Sequence, residues 1–154
     1  MKKGILIHGL PTDSFYKELN KKENFFVTES RPDLTGSRIV VKKLAQQRIK
    51  PTLICDNMAA FCMQQNKISK VYIFYQSIKD KKLLCKVGSL GLAILAKRHK
   101  LNAYAFPGKK LRKRATKKEM IYLKGKLIAP RNVSVYRELI DEVPVRFIKK
   151  VITK

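Results

Sequence analysis

His8, Glu29, Arg31, Asp56 and Lys86 are five side chains able to hold charge or move a proton. Each stands where a short apolar run ends or a helix-forming run begins. A carboxylate or imidazole in such a place can serve as general acid or base. An ammonium such as Lys86, two residues before Gly88, can hold a phosphate together with the free N–H groups of a helix start. Arg38, just after Gly36, is a further cation at a helix start. Each also has a plainer structural reading. Glu29 and Arg31 can hold a strand end together by local hydrogen bonds, since charged groups in a closed crevice are usually paired. Asp56 can cap the helix that follows it, and His8 can be a satisfied rim histidine. The residue types leave both readings open.

The elements that must position these residues follow from periodicity. Residues 5–8 form a short apolar strand bounded by Gly4 and Gly9. Thr12 or Asp13 caps a helix through Phe15, Tyr16 and Leu19 that closes on Lys21 and Lys22. Residues 25–28 make a second strand, and Pro32 keeps it from running straight into the helix of Val40, Leu44 and Gln47. Residues 52–55 are a third strand, after which Asn57 caps a helix through Phe61 and Cys62. Residues 71–75 are a fourth strand, and 77–84 read as a polar, lysine-rich loop. A mostly apolar helix follows from Val87 to Ala96, with a fifth strand at 102–106 and another at 133–136. Pro144 opens a last amphipathic helix carrying Phe147, Ile148 and Val151. Strands alternating with helices predict an α/β fold: a Rossmann-like, doubly wound, mainly parallel sheet with helices on both faces, one domain across 1–154. In such sheets ligands sit outside the carboxyl ends of the strands, which puts His8, Glu29, Arg31, Asp56 and Gln76 along one rim.

Thr28-Glu29-Ser30-Arg31-Pro32, Gly36-Ser37-Arg38, Asp56-Asn57-Met58-Ala59 and Cys85-Lys86-Val87-Gly88 occur in that order. Together with Leu6-Ile7-His8-Gly9, Phe74-Tyr75-Gln76 and the stretch 133–152, they carry a resemblance to the initiation factor 2B superfamily. That superfamily contains the alpha, beta and delta subunits of translation initiation factor 2B, methylthioribose-1-phosphate isomerase and ribose-1,5-bisphosphate isomerase. The resemblance is to its C-terminal domain, and the helical N-terminal domain has no counterpart in these residues. It implies a ligand or phosphate set of Glu29, Arg31, Arg38, Asp56, Lys86 and Gly88, and pairing with a second copy or a related subunit.

The departures from the pattern bear on activity. The superfamily's isomerases move protons between adjacent sugar carbons with a cysteine and an aspartate, and this chain has Gly9 and Gln76 at those places. Neither side chain can titrate. Thr35 stands where glutamine is usual, and Cys85 where asparagine is usual. The resemblance therefore implies a non-catalytic binding or assembly module. The alternative is an aldose–ketose sugar-phosphate isomerase, alone or as one chain of a split enzyme, in which Asp56 is the remaining carboxylate and His8 the substitute proton carrier.

Charge adds a different signal. Thirty-five basic against 11 acidic residues leave a net charge of +24, the electrostatic footprint of a polyanion binder. Compositional drift toward lysine is the bland explanation. Lys109, Lys110, Arg112, Lys113, Arg114, Lys117 and Lys118 crowd into one stretch of an expected basic arm at 108–126, too dense for a packed core. Such an arm would hold RNA, on a ribosome or translation complex, through phosphate contacts. Tyr122 offers one stacking face, and nothing indicates sequence-specific reading. Cys55, Cys62 and Cys85 lack metal-ligand spacing and read as reduced thiols, so no metal or cofactor is expected. The apolar run after Met1-Lys2-Lys3 is too short for a signal peptide, and no run is long enough for a membrane span. The expectation is a soluble cytoplasmic protein.

Overall fold

Along β1 (Gly4–His8) all five residues are buried, and the alternation of its side chains supplies both sides of a sheet. Ile5 and Ile7 join Phe25, Val27 and Phe74 on one face, against Phe15 and Tyr16 of α1 (Asp13–Lys17) and Leu44 of α2 (Val41–Gln46). Leu6 joins Phe26, Val71 and Ile73 on the other, against Cys62 and Met63 of α3 (Ala59–Gln64) and Leu92, Ala93 and Ala96 of α4 (Ser89–Arg98). Two apolar layers enclosing one sheet are what strands buried on both faces require. The computed structural model describes residues 2–153.

The remaining strands are β2 (Asn24–Thr28), β3 (Thr52–Ile54), β4 (Ile68–Lys79), β5 (Lys82–Lys86), β6 (Asn102–Pro107), β7 (Tyr122–Leu123), β8 (Lys126–Leu127), β9 (Ile140–Pro144) and β10 (Lys150–Val151). The parallel part of the main sheet runs β10-β6-β4-β1-β2-β3. The chain thus winds outward from β1 in one direction and then in the other, the expected doubly wound α/β arrangement. β5 adds antiparallel to the far half of β4, and β9 adds antiparallel to β5. β7 and β8 form a separate hairpin ahead of which stands α5 (Lys117–Ile121).

Several local expectations are corrected. The polar stretch 77–84 is not a loop but a hairpin, turned at Asp80 and Lys81 with φ of 49° and 58°. Its lysines face water while Leu83 and Cys85 are fully buried, so alternation wins over average polarity. No strand forms at 133–136, where Tyr136 is 85% exposed. The neighbouring residues Leu139 and Val143 are buried, and β9 forms there instead. The final helix is also absent. Val145–Phe147 make one 3₁₀ turn, and β10 then pairs with the open edge of β6, framed by bonds from Lys149 N–H to the Ala103 carbonyl and Ile152 N–H to the Ala105 carbonyl. α1 ends at Lys17, before the Lys21–Lys22 cluster. A 3₁₀ turn, Asp56–Met58, precedes α3, so Asn57 does not cap it.

β2 is joined to α2 by a tight approach. A π-helical turn, Gly36–Val40, begins so close to the end of β2 that a Cβ on Gly36 would lie 1.8 Å from the Thr28 carbonyl oxygen. Gly91, in the middle of α4, has nothing within 4 Å of such an atom. Gly36→Ala is expected to destabilise the fold by about 3 kcal/mol or more, and Gly91→Ala to stabilise it by about 0.5–1 kcal/mol, both read from urea denaturation.

Candidate ligand crevice at the strand ends

His8 closes β1 with its ring buried and both nitrogens engaged. Nε2 lies 2.9 Å from the Val87 carbonyl oxygen, which can only accept, so Nε2 carries the proton. Nδ1, 2.7 Å from the Thr28 hydroxyl, is then the acceptor, and Ser30 donates in turn to Thr28 at 3.3 Å. Burial is the main influence on the ring and lowers its pKa, opposed by the Val87 bond and nearby Asp56. His8 is a neutral tie between β1, β2 and the start of α4.

Asp56 does not cap α3. Its two oxygens accept the Ser30 N–H at 2.9 Å and the Arg31 N–H at 2.7 Å, joining the ends of β2 and β3. A carboxylate has about four acceptor positions, so roughly two remain open. The Arg31 guanidinium donates to the Met120 carbonyl at 3.1 Å. Glu29 and Arg31 form no ion pair with each other among the described residues. Glu29 is bound through its backbone, from its N–H to the Ile54 carbonyl. His8, Thr28, Arg31, Asp56 and Gly88 line a crevice of about 230 Å³ beyond the strand ends. Gly88, at φ 99°, keeps it open, since a Cβ there would press to 3.2 Å from His8 Nε2.

Lys86 and Gly88, expected to hold a phosphate, are each engaged within the chain. Lys86 is fully buried and its ammonium lies 2.6 Å from the Asp33 carboxylate, which is itself only 12% exposed. Its charge is already matched. The N–H groups of Gly88 and Leu90 at the start of α4 donate to Asp141 of β9 at 3.1 and 2.9 Å, a carboxylate where the helix dipole favours one. Asp33 and Asp141 are rim partners that no local sequence pattern marks. The available signal was scarcity: with so few acids in the chain, any carboxylate next to the rim elements carries weight. Cys85 is buried, and its thiol is pushed up to about 12, so it is inert at neutral pH. Arg38 lies outside the crevice, exposed on the π-helical turn.

Gln76 has a structural task. Its side-chain carbonyl accepts the Leu111 N–H at 2.8 Å and fastens the basic segment to the rim. The segment is therefore no free arm. The Lys109 N–H donates to Leu10, the Ala115 N–H to Arg137, and Ala115 and Ile121 are buried. Lys109 pairs with Asp13, Arg112 with Glu119 and Arg114 with Glu138. Arg112, with the Thr116 N–H, holds the Glu119 carboxyl down to about 2. Among the described residues Lys110, Lys113, Lys117 and Lys118 have no carboxylate within ion-pairing range.

A model of the initiation factor 2 subunit family matches residues 14–154. The chain belongs to that family. It is 32% identical over 151 residues to methylthioribose-1-phosphate isomerase of Fervidobacterium nodosum, covering 90% of this chain and 43% of that protein. It is 31% identical over 153 residues to a putative methylthioribose-1-phosphate isomerase of Methanocaldococcus jannaschii, covering 92% and 46%. Among solved structures, the delta subunit of translation initiation factor eIF-2B from A. fulgidus superposes with a TM-score of 0.84 at 23% identity, over 99% of this chain and 53% of that one. The 5-methylthioribose 1-phosphate isomerase of Pyrococcus horikoshii gives the same TM-score and identity over 99% and 50%. These last two show the fold. The chain spans about half the length of the relatives it matches. No helix among the described residues is long and apolar enough to cross a membrane.

The buried ring of His8 gives the crevice a pH signature. The unfolded chain takes up the His8 proton near the ordinary value of 6.5, the folded chain only at lower pH. The unfolded state thus binds more protons below that value, and the stabilisation is full above it and lost on acidification. Urea midpoints are expected to fall between about pH 7 and about pH 5.5. His8→Asn, whose amide can donate to Val87 and accept from Thr28, is expected to flatten that fall.

Proposed function

We propose that the crevice at the strand ends recognises a ribose 1-phosphate derivative and that the chain is a domain of the aldose–ketose sugar-phosphate isomerase type. The observation that carries this reading is the 32% identity to a methylthioribose-1-phosphate isomerase extending across 90% of the chain. A crevice that carries Arg31 and Asp56, where α/β sheets take their ligands, agrees with it. In this reading Arg31 offers its remaining guanidinium donors to the phosphate, and Asp56 offers its open acceptor positions to the sugar hydroxyls. Asp56 is also the carboxylate that can take the proton moving between adjacent sugar carbons. His8 is a poor substitute, with both nitrogens engaged and burial holding it neutral.

With Gly9 and Gln76 at the places of the superfamily's proton-transfer pair, catalysis falls to one carboxylate. A positioned acid or base contributes about 10²–10⁴-fold, and turnover by this chain is expected to be slower than a complete isomerase by about that factor. The same two residues favour a second reading, a binding or assembly module without turnover. Likeness in fold to an initiation factor subunit supports complexes with a second copy or a related subunit. RNA or ribosome binding through Lys109, Lys110, Arg112, Lys113, Arg114, Lys117 and Lys118 rests on charge alone, and the relatives favour the isomerase reading over it.

Titration calorimetry with methylthioribose 1-phosphate, followed by NMR for the ketose product, tests this. One site per chain is expected, weakened about tenfold or more in Arg31→Ala. Product is expected to disappear in Asp56→Asn while binding persists. Saturable binding without product from the unaltered chain would favour the second reading, and no binding would end the first.

A further inference from the structure

A second cavity of about 230 Å³, also lined by Arg31, lies between the turn after β2 and the β7–β8 hairpin. Four of its lining side chains are cations: Arg31, Arg38, Lys118 and Lys124. Its two carboxylates are already matched, Asp33 by Lys86 and Glu119 by Arg112. Among the described residues, Arg38, Lys118 and Lys124 have no carboxylate within ion-pairing range. Several like charges around one small cavity repel, and an anion between them turns that cost into attraction.

The cations stand on short-range supports. Arg38 follows Gly36 on the π-helical turn, whose position against Thr28 is set by the close approach described above. Lys124 occupies a two-residue hairpin turn with Gly125, at φ 51° and 76°, as a tight type I′ connection requires. Lys118 belongs to α5, whose start is closed by reciprocal bonds between Thr116 and Glu119. The Tyr122 ring and Leu34 add an apolar wall. Guanidinium and ammonium side chains lining one cavity beside such a wall match a phosphate or diphosphate on a small molecule with an apolar or ring body.

We infer that this cavity is a second anion site, separate from the sugar crevice with which it shares Arg31, and that it takes the phosphate or diphosphate group of a small molecule. Arg38 and Lys124 are two of its three exposed cations, and neither lines the sugar crevice. Inorganic pyrophosphate is a suitable probe, titrated calorimetrically into the full chain at about 150 mM salt, where diffuse surface attraction is screened. One site per chain is expected. The double variant Arg38→Ala with Lys124→Ala is expected to weaken binding by about tenfold or more. A control that removes the same charge outside the cavity, Lys113→Ala with Lys117→Ala, is expected to leave it unchanged, as is Asp56→Asn in the sugar crevice. Equal losses in the two double variants would reduce the effect to overall charge and overturn the site, as would the absence of saturable binding. Because Asp56→Asn tests the sugar crevice and the Arg38 and Lys124 variant tests this cavity, either can fail while the other stands.

Discussion

A lysine ammonium without access to water must meet a counter-charge, and at the end of β5 that requirement shapes everything around it. Lys86 is sealed between the sheet and the turn after β2, and Asp33 closes on it at 2.6 Å. Removing either partner would leave an uncompensated buried charge, a loss of about 3–5 kcal/mol in comparable pairs. The pair therefore fixes the turn that carries Pro32, and with it the direction in which Arg31 leaves the end of β2. Asp56 holds the same turn from the other side through two backbone N–H groups. Arg31 lines both cavities, one shared with His8, Asp56 and Gly88 and the other with three further cations.

Polar groups at the rim are used twice over. Asp141 satisfies the N–H groups at the start of α4, and His8 ties that start to β1 and β2. Gln76, at a place where the superfamily's isomerases are expected to have an aspartate, binds Leu111 and draws the basic segment over the strand ends. An amide suits that task because it is neutral and a good acceptor, whereas a carboxylate there would have to be desolvated. The rim is thus held together by its own hydrogen bonds, and Gly9 and Gln76 bring no titratable group to it.

The sheet was legible in the sequence because both its faces are buried: runs such as Ile5-Leu6-Ile7 and Phe25-Phe26-Val27 have no reading except a covered strand. The topology rule put His8, Glu29, Arg31, Asp56 and Gln76 along one rim, and of these His8, Arg31 and Asp56 line the crevice. Pairing decided what the sequence could not show. Lysine density hid the 77–84 hairpin, although Leu83 and Cys85 alternate as a half-buried strand should. The spacing of Val145, Phe147, Ile148 and Val151 fits a helix as well as a 3₁₀ turn and a strand, and only the open edge of β6 chooses between them. Asp33 and Asp141 reach their partners Lys86 and the start of α4 across roughly fifty residues, a distance no local pattern spans.

The most direct measurement is a crystal structure of the chain grown with methylthioribose 1-phosphate. Ligand density is expected in the crevice, with the sugar against Asp56 and the phosphate against Arg31. An empty crevice at saturating ligand, or density found only elsewhere on the molecule, would contradict a sugar-phosphate site at the strand ends.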